Sequence, residues 1–330
     1  MKAIVWTKYG PPEGLQLQEV EKPVPQNDEI LIKIHAASVT AGDCEIRRLE
    51  LPLSLSFPIR LYAGFRKPNR LRILGQELSG EVVQAGKDVT LFHVGDQVFG
   101  TTGFSFGAYG EYICLPEKPD ETQGTLTFMP ENLSYEEAAA VSTAGMEALH
   151  YIHKACLKKD QKVLIIGAGG SIGTLAVQIA RLYGADITAV DSGEKLEMLK
   201  NLGADHTVDY TEKDYISQKN TYDLIIDVVG GHSVYGRLKM LKRKGYYFLA
   251  YANFSHIMLG IWTGVILKKK VRIESSGQSR EEIEMLKKLI EEGKLKPVID
   301  KIFPLREAAE AHRYAESGHK IGNVILKVDR

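Results

Sequence analysis

Residues 162–180 read KVLIIGAGGSIGTLAVQIA, and their pattern is the strongest indication of the fold. An apolar run over 163–166 enters a glycine-rich turn, and an amphipathic run that begins at Ser171 follows the turn. This order predicts a buried β-strand, a tight turn and an α-helix. Small residues let the backbone approach a pyrophosphate, and the helix N-terminus supplies unpaired N–H groups and the positive end of the helix dipole. The stretch therefore predicts a βα unit that binds a dinucleotide.

The glycine spacing departs from the strict GxGxxG pattern, because Gly167, Gly169 and Gly173 span one extra residue. Ala168, Gly170 and Gly173 instead fit an AxGxxG variant, in which Gly173 allows the helix to pack closely on the strand. The predicted phosphate-binding residues are Ala168, Gly169, Gly170, Ser171, Ile172 and Gly173. The alternative is a tight turn that connects strand and helix without binding a ligand.

The next strand, over 187–190, ends at Asp191, eighteen positions after Gly173. An acidic side chain at this place can accept hydrogen bonds from the ribose hydroxyls and repels a 2′-phosphate. Lys195 has the opposite tendency, because it could pair with that phosphate, and its alternative is a solvated residue of the next helix. The pattern favours NAD(H) as the cofactor and leaves NADP(H) open.

The residues around this unit divide the chain into three parts. Residues 1–128 contain short alternating segments such as 29–34 between Gly and Pro, and they predict a β-rich part. Residues 129–274 alternate apolar strands with helical segments, which predicts βαβ units and a buried parallel sheet. Residues 275–330 predict a charged helix, a strand, a second helix and a final strand. The segment 47–72 is basic and has no clear period, so we predict a surface excursion there.

Composition limits the class of protein. The 330 residues are 44% hydrophobic and 25% charged, which is typical of a globular chain, and the length suggests two domains. Lys plus Arg and Asp plus Glu each number 42, so the neutral chain has no general attraction for nucleic acid or for a membrane. The three cysteines form no CxxC pair, which argues against a disulfide framework or a structural zinc lobe.

Two further features concern location and assembly. The N-terminus reads as a first strand rather than as a targeting segment, so we predict a cytoplasmic protein. The longest apolar run, 257–267, has eleven residues, which is too short to cross a bilayer. This run predicts a buried helix or a contact between subunits.

Three patterns resemble reactive sites but favour simpler interpretations. Residues 103–107 fit GxSxG, yet a strand-like segment follows them, whereas the nucleophile turn of hydrolases needs a helix there. Glu147, His150 and His153 recur on one predicted helix, but a carboxylate-bridged metal pair needs a second such helix. Cys44 follows an acidic residue, which raises the pKa of a thiol and favours a packing role.

Several other segments complete a pattern that extends over the whole chain. They are GQELSGEV at 75–82, VGDQVFG at 94–100, GAYGEY at 107–112, AAAV at 138–141, LGAD at 202–205, VDY at 208–210, AAEAH at 308–312 and GNVIL at 322–326. Together with the glycine-rich turn, these segments resemble the medium-chain dehydrogenase/reductase superfamily, on its zinc-free quinone oxidoreductase side. Each segment alone is unspecific, whereas the set is specific.

The resemblance implies an α/β fold in which a Rossmann doubly wound parallel sheet is inserted into a GroES-like, β-rich catalytic domain. The catalytic domain would combine residues 1–128 with 275–330, and the dinucleotide-binding domain would occupy 129–274. Relatives of this type commonly pair through their cofactor domains. We therefore predict a homodimer.

The resemblance also concerns the adenosine end of the cofactor. Lys195 and Tyr210 match positions at which NADP-using members hold the adenosine phosphate. Asp191 departs from those members and matches the pattern of NAD-using members. The resemblance therefore adds Tyr210 to the predicted cofactor-binding residues, and NAD(H) remains favoured over NADP(H).

The positions of the catalytic zinc ligands in related enzymes hold other residue types here. Zinc-containing relatives have Cys where this chain has Thr40, His-Glu where it has Gln76 and Glu77, and a further Cys near Ala140. Hydroxyl, amide and methyl groups cannot together supply the thiolate and imidazole ligands that zinc prefers. We therefore predict that the chain holds no metal.

Without a metal, the fitting chemistry is hydride transfer from NAD(P)H to a small quinone or α,β-unsaturated carbonyl, whose conjugated system spreads the incoming charge. Thr40 and Asp43 lie in a stretch that resembles the N-x-x-D segment of the family, with Thr in place of Asn. We predict that Thr40 donates a hydrogen bond to the substrate and that Asp43 orients the loop. Tyr62 and Tyr251 are further candidate proton donors, each with packing as its alternative. An alcohol or aldehyde dehydrogenase and a cofactor-binding regulatory protein with little turnover remain alternatives.

Overall fold

The computed structural model describes residues 1–49, 53–120, 122–216, 221–230, 234–250, 269–273, 276–277 and 279–328. The chain divides into two compact units. The first unit contains Met1–Thr143, Gly277–Glu291 and Pro297–Arg330, and the second contains Ala144–Ser276 and Glu292–Lys296. The domain boundaries expected from the sequence remain predictions. The apolar run 257–267 lies outside the described residues.

The first unit is built on a seven-stranded sheet and a separate two-stranded sheet. Its strands are β1 (Lys2–Trp6), β2 (Leu15–Glu19), β3 (Glu29–Ser38), β4 (Glu77–Ala85), β5 (Gln97–Thr101), β6 (Tyr112–Pro116), β7 (Thr125–Phe128), β14 (Ile299–Pro304) and β15 (Asn323–Lys327). The large sheet has the order β14-β15-β3-β4-β5-β7, and β6 pairs with β3. Its strands pair antiparallel, except that β14 and β15 are parallel.

The hydrophobic core of this unit joins distant parts of the chain. Trp6 and Ile32 are buried in the same cluster as Ala308 and Val324. Burial of such side chains removes apolar surface from water, which stabilises the unit by about 25 cal/mol per Å². The C-terminal residues therefore complete the core that the N-terminal strands begin.

The helices of the first unit are α1 (Ala41–Arg48), α2 (Leu53–Ala63), α3 (Tyr135–Ala139), α8 (Arg280–Glu291) and α9 (Ala308–Ala315). The helix α2 differs from the expectation of a segment without a period. Its sequence contains Pro58, which lacks a backbone N–H, and apolar residues such as Phe57 and Leu61 are exposed rather than confined to the buried face. Both features hide the helical period from the sequence.

The alanine-rich stretch after Ser134 begins a helix that ends after five residues. Ser134 and Glu137 form a capping box at the start of α3. Ala140 then leaves the helical conformation, and α4 (Ser142–Lys154) follows as a new helix. The small side chains of Ala139 and Ala140 pack against Ile325 of β15, which explains why this short stretch is alanine-rich.

The second unit contains a six-stranded, fully parallel sheet. Its strands are β8 (Lys162–Ile166), β9 (Asp186–Asp191), β10 (His206–Asp209), β11 (Tyr222–Asp227), β12 (Leu241–Leu249) and β13 (Lys270–Arg272), and its helices after α4 are α5 (Ser171–Leu182), α6 (Leu196–Leu202) and α7 (Val234–Lys239). The order β10-β9-β8-β11-β12-β13 places the first strand in the middle. This arrangement is the doubly wound Rossmann topology, in which ligands bind at the carboxyl edge where the strand order reverses. Within the described part of the chain, no helix combines the length and apolar character that a membrane crossing requires.

Candidate functional site

The glycine-rich turn lies at the carboxyl edge of the parallel sheet, between β8 and α5. The N–H groups of Gly167 and Ala168 both donate to the carbonyl oxygen of Val190 at the end of β9, over 3.0 and 3.2 Å. Gly170 is the N-cap of α5 and has no side chain that could cap the helix. The first N–H groups of a helix have no intrahelical partner, so this end is available to an anionic group.

The glycines of the turn have different tasks. A Cβ atom on Gly173 would lie 2.5 Å from the Cα and carbonyl oxygen of Ala168, so only glycine lets α5 pack against the turn. Gly167 has a φ of +77°, a conformation that favours glycine. A Cβ atom on Gly170 would meet only the carbonyl oxygen of Gly167, at 3.4 Å. The cradle is therefore closed behind Gly173 and has space at Gly170, which fits a pyrophosphate.

The predicted phosphate-binding residues divide by exposure. Ala168, Gly169 and Gly173 are buried, and they shape the turn from within. Gly170, Ser171 and Ile172 are partly exposed, and they begin the helix. The residues that retain contact with solvent are thus those whose backbone stands at the helix N-terminus.

Asp191 and Lys195 form a buried ion pair beside this turn. Asp191 ends β9, and its Oδ2 accepts a hydrogen bond of 2.7 Å from the N–H of Gly169. The Nζ of Lys195 lies 3.2 Å from Oδ1 of Asp191, and the two residues are 5% and 6% exposed. The interpretation of Lys195 as a solvated helix residue is therefore wrong, because its side chain is buried and its ammonium group forms an ion pair with the carboxylate of Asp191.

Tyr210 lies at the same edge of the sheet. Its backbone N–H donates to the carbonyl oxygen of Asp191 over 3.2 Å, and its side chain is 57% exposed. The structure thus places Asp191 and Lys195 against Gly169, and Tyr210 beside Asp191. An acidic group, a basic group and an accessible aromatic ring together can contact a ribose, a phosphate or an adenine.

A second buried charge pair, which the sequence analysis missed, ends the neighbouring strand β11. Oδ2 of Asp227 accepts hydrogen bonds from Arg237 and from the hydroxyl of Tyr247, each 2.6 Å long. Burial opposes the charge of Arg237, but Asp227 beside it raises the pKa of the guanidinium above its usual value. Oδ1 of Asp227 accepts from the N–H of Gly230 over 2.9 Å. The only sequence signal was an acidic residue at the end of a buried strand, as at Asp191.

Asp227 also shapes the phosphate turn through the loop that it holds. The loop continues directly into Val228 and Val229, and a Cβ atom on Gly167 would lie 2.5 Å from the Cγ2 of Val229. Gly167 and this loop are therefore in close contact, and the absence of a side chain at Gly167 is what permits it.

In the first unit, Thr40 and Asp43 form a capping box at the start of α1. The hydroxyl of Thr40 donates to Oδ2 of Asp43 over 2.7 Å, and it accepts from the N–H of Asp43 over 3.0 Å. The N–H of Thr40 donates to the same Oδ2 over 3.1 Å. Thr40 is partly exposed, whereas Asp43 is completely buried. The two predicted catalytic residues are thus brought together, and both contribute to helix capping.

The buried carboxyl of Asp43 connects α1 to the next strand. Its Oδ1 accepts from the N–H of Gly75 over 3.1 Å. Burial raises the pKa of Asp43 to about 6, against the hydrogen bonds from Thr40 and Gly75, and the charge of Glu77 raises it further. The buried carboxyl therefore holds its proton to a higher pH than an exposed aspartate does.

A cluster of buried polar side chains continues from Asp43, and the sequence analysis did not find it. Nδ1 of His312 accepts a 3.3 Å hydrogen bond from Nε of Arg47, so its Nε2 carries the hydrogen that faces the hydroxyl of Tyr109 at 3.2 Å. Burial and then the charge of Arg47 lower the pKa of His312 to about 3. The thiol of Cys44 lies 3.3 Å from the same Nδ1, and burial raises its pKa to about 12. Cys44 is therefore a packing residue, as predicted.

The positions that correspond to zinc ligands have ordinary structural roles. The amide of Gln76 donates to the carbonyl oxygen of Gly103 over 3.3 Å. Glu77 is buried and accepts hydrogen bonds from the hydroxyl of Ser38 and the N–H of Thr143. Ala140 is buried in an apolar cluster. Among the described residues, no group of three His, Cys, Asp or Glu side chains could hold a metal ion.

The remaining candidates have separate surroundings. The hydroxyl of Tyr62 donates to the carbonyl oxygen of Phe104 over 2.6 Å, and Tyr251 lies outside the described residues. Residues 103–105 form a 3-10 turn rather than a strand-to-helix elbow. Glu147 is buried, and its carboxylate accepts a hydrogen bond from the N–H of Ser276 over 3.0 Å.

An apolar cavity of about 440 Å³ lies within the first unit, beside α1 and α2. Most of its lining is aliphatic or aromatic, which is typical of a site for a small organic molecule. The lining residues are Ile46, Pro58, Ile59, Tyr62, Leu71, Phe104, Ser105, Phe106 and Thr122. Ile46 is on the same short helix as Asp43, which relates this cavity to the capping box.

Comparison with known proteins supports both units. Residues 26–119 match the family described as "Alcohol dehydrogenase GroES-like domain", and residues 202–326 match the family described as "Zinc-binding dehydrogenase". The 2-methylene-furan-3-one reductase of Solanum lycopersicum is 32% identical over 99% of this chain and 79% of its own length. The NAD-dependent alcohol dehydrogenase of Sulfolobus acidocaldarius is 29% identical over 99% of this chain and 100% of its own length.

The solved structure of the quinone oxidoreductase from Coxiella burnetii is similar over the entire chain. Its TM-score is 0.87 at 32% identity, and the match covers 100% of this chain and 99% of the other. This likeness and the parallel sheet confirm the predicted fold class, a Rossmann-type sheet combined with a GroES-like part.

Proposed function

Because the chain belongs to the medium-chain dehydrogenase/reductase superfamily, on its quinone oxidoreductase-like side, we propose that it transfers a hydride from NAD(P)H to a quinone or an α,β-unsaturated carbonyl compound without zinc. The observation that carries this proposal is the uncapped N-terminus of α5, beside the ion pair of Asp191 and Lys195. When bound, a nicotinamide cofactor supplies the hydride, and the protein supplies binding and orientation.

In the second unit, different residues would contact different parts of the cofactor. Backbone N–H groups of Ser171 and Ile172 would bind the pyrophosphate, because the helix dipole and the missing side-chain cap favour an anion there. The N–H of Gly170 already donates to the carbonyl oxygen of Gly167 over 3.1 Å, so Gly170 would contribute space rather than a donor. Asp191 would accept the ribose hydroxyls, and the exposed ring of Tyr210 would border the adenosine. Ala168, Gly169 and Gly173 keep the turn in the required shape.

We propose NAD(H) as the preferred cofactor. The carboxylate of Asp191 already accepts from Gly169, so it is fixed at the end of β9, where a ribose 2′-hydroxyl would be recognised. The ammonium group of Lys195 is committed to this carboxylate and would have to leave it to pair with a 2′-phosphate. This cost favours NADH over NADPH without excluding the latter.

Zinc independence rests on the donor set. Thr40 caps α1 with its hydroxyl, Gln76 donates an amide hydrogen to a carbonyl, and Ala140 has no donor atom. None of these groups replaces the thiolate and imidazole ligands of a catalytic zinc ion. A conjugated acceptor needs no Lewis acid, since its oxyanion is delocalised and one hydrogen bond stabilises it.

Thr40 is the group that we propose for this hydrogen bond. Rotation of its hydroxyl hydrogen away from Oδ2 of Asp43 leaves the bond from the N–H of Asp43 intact, because that bond uses a lone pair of the hydroxyl oxygen. Oδ2 of Asp43 still accepts from the N–H of Thr40. The hydroxyl can therefore turn to a substrate oxygen at small cost to the helix cap.

The test is NADH oxidation with a panel of acceptors, namely 1,4-benzoquinone, a small enone and an aldehyde, before and after treatment with a chelator. We expect turnover with the first two, unchanged by the chelator, and no zinc in elemental analysis. Aldehyde reduction that disappears with the chelator would favour the alcohol dehydrogenase alternative, to which the Sulfolobus relative points. Saturable NADH binding without turnover on any acceptor would favour the regulatory alternative. The cytoplasmic location and the homodimer stay predictions of the sequence.

A further inference from the structure

The outer side of α2 and the loop after it combine exposed aromatic residues with cations, and we name this region the α2 surface. Its apolar members are Phe57, Pro58, Leu61, Tyr62, Phe65 and Phe104, and its basic members are Arg66, Lys67, Arg70 and Arg72. The large apolar side chains among them are between 49% and 62% exposed. Monomeric proteins rarely expose contiguous apolar groups of this kind unless another surface covers them.

The apolar members are contiguous. Phe57 and Leu61 are one helical turn apart on α2. The hydroxyl of Tyr62 donates to the carbonyl oxygen of Phe104 over 2.6 Å, which joins the helix to the 3-10 turn. The guanidinium of Arg60 donates to the carbonyl oxygen of Phe65 over 2.9 Å, which ties the following loop to the helix.

The charge of the α2 surface differs from that of the whole chain. Residues 51–76 contain five Arg and Lys residues and no Asp or Glu, although the complete chain has a net charge of +0. No ion pair joins Arg66, Lys67, Arg70 or Arg72 to a carboxylate in the described part of the chain. Overall neutrality, from which the sequence analysis predicted no membrane partner, therefore conceals a local positive surface.

We propose that the α2 surface docks on an anionic lipid membrane. Aromatic and leucine side chains beside exposed Lys and Arg are the pattern of interfacial binding, because the apolar groups enter the headgroup boundary while the cations meet acidic lipids. Charge complementarity selects this occupant over a neutral apolar partner, since four exposed cations that form no ion pair in the described part of the chain follow α2 within nine residues, and Arg70 donates to the carbonyl oxygen of Leu61 on that helix over 2.9 Å. Docking at this depth needs no membrane-spanning helix.

The apolar cavity of about 440 Å³ borders this surface, because Pro58, Tyr62 and Phe104 belong to both. A lipophilic quinone or enone that is dissolved in the membrane could therefore pass into the cavity without crossing water. This part of the inference rests on the proposed function, whereas docking itself does not.

The test measures co-sedimentation of the full chain with vesicles of phosphatidylcholine alone or with about 30% phosphatidylglycerol. We expect binding to the anionic vesicles only, and release at high salt because screening weakens exposed charge pairs. The variant Arg66→Glu/Lys67→Glu should lower the partition coefficient by at least about 25-fold, from about fivefold for each cation lost. The control variant is Lys87→Glu/Lys118→Glu, which changes the net charge equally at exposed positions of the same unit outside the α2 surface. It should leave vesicle binding within about twofold of the wild type.

The apolar contribution is tested in the same way. Phe57→Ser/Phe65→Ser should weaken vesicle binding by about tenfold or more. Val24→Ser/Val94→Ser replaces side chains that are 78% and 66% exposed elsewhere in the unit and should have no effect. Absent or lipid-independent binding of the wild type, or equal losses in the test and control pairs, would overturn the proposal.

NADH oxidation with water-soluble 1,4-benzoquinone separates the two proposals. The four variants should retain this activity, because none of the substituted side chains lines the cavity or the phosphate turn. Vesicle binding without any turnover would leave docking in place and contradict the proposed function. Turnover without vesicle binding would contradict docking alone.

Discussion

The glycine-rich turn of the second unit and the α1 cluster of the first unit (Asp43, Arg47, Tyr109 and His312) both bury charged groups, but they use them differently. At the turn, Asp191 is satisfied by Gly169 and Lys195, while the neighbouring N-terminus of α5 has backbone N–H groups for a ligand. In the α1 cluster, each polar side chain is directed to another protein group. We propose that the first arrangement serves binding, whereas the second caps a helix and pairs buried polar groups with one another.

The difference also explains what a sequence can reveal. The turn is contiguous, so its glycines, its strand and its helix appear together over 162–180. The contact of Cys44 with His312 joins residues 268 positions apart, and no local pattern announces it. The turn could be recognised in the sequence because its residues are contiguous, whereas the residues of the α1 cluster are far apart along the chain.

The substitution Gly173→Ala should have the strongest effect, because it disrupts the glycine-rich turn. Gly173→Ala places a Cβ atom 2.5 Å from the backbone of Ala168, and the helix must shift away. We expect a loss of about 1–3 kcal/mol in the free energy of unfolding and of about 100-fold in NADH affinity, since the N–H donors are displaced. NADH fluorescence titration and thermal unfolding measure both.

Gly170→Ala is the matched control for this substitution. Its Cβ atom would lie 3.4 Å from the carbonyl oxygen of Gly167, and its φ of −84° suits any residue. The variant should unfold at the wild-type temperature, and any loss of affinity should come from the ligand side alone. Equal destabilisation of the two variants would contradict the assignment of close packing to Gly173.

The second prediction tests the buried carboxyl of the α1 cluster. Burial raises the pKa of Asp43 to about 6 from 3.8, so the folded protein binds the proton more tightly than the unfolded chain does. Its contribution to stability is complete below about pH 4 and is lost as the pH rises through 6, by up to about 3 kcal/mol. Asp43→Asn removes this titration and one hydrogen bond.

Urea unfolding of wild type and Asp43→Asn at several pH values between 4 and 7 measures this difference. The variant should be less stable than the wild type near pH 4, and the gap should shrink toward pH 7. A gap that is constant with pH would show that folding leaves the pKa of Asp43 unchanged, and a gap that widens as the pH rises would show that folding lowers it; either result contradicts the prediction.

The third prediction sharpens the role of the ion pair at the turn. Asp191→Ser removes the ribose acceptor and releases Lys195 for a 2′-phosphate. The ratio of kcat/KM for NADPH to that for NADH should rise by about tenfold, because Lys195 would exchange its contact with the carboxylate for one with the 2′-phosphate. Asp186→Ser, the same substitution at the opposite end of β9, should leave the ratio unchanged. An unchanged ratio in Asp191→Ser would place the adenosine elsewhere.

The smallest effect concerns the hydroxyl of Thr40. Thr40→Val removes the helix cap and the proposed donor, whereas Thr40→Ser keeps both. Thr40→Val should lower kcat with a quinone by about tenfold and leave the KM for NADH unchanged, and Thr40→Ser should restore kcat. If kcat of Thr40→Ser is as low as that of Thr40→Val, the hydroxyl of Thr40 does not donate the hydrogen bond to the substrate.

The sequence predicted much of the fold for a physical reason. Apolar strands of the parallel sheet, such as 163–166, are buried on both faces and are therefore continuous in sequence. The helix α2 was missed because its apolar residues are exposed and Pro58 interrupts the pattern. Helix periodicity reports which face is buried, and it fails where an exposed face is also apolar.

The site was predicted to the extent that it is local. The residues of the turn could be named from the sequence, because they lie between a predicted strand and a predicted helix. Asp191 could be named because it ends the next predicted strand. The buried pairing of Lys195 with Asp191 was not predicted, because an i,i+4 spacing fits a solvated lysine equally well. The Arg237–Asp227 pair was missed because its partners come from different elements of the second unit.

Calorimetric titration of the purified chain with NADH, and separately with NADPH, measures whether the N-terminus of α5 binds a dinucleotide. We expect saturable heat at one site per chain, with tighter binding of NADH, and a loss of this heat in Gly173→Ala at a temperature where that variant is still folded. Folded protein that gives no heat with either dinucleotide would contradict the claim that the N-terminus of α5 binds their pyrophosphate.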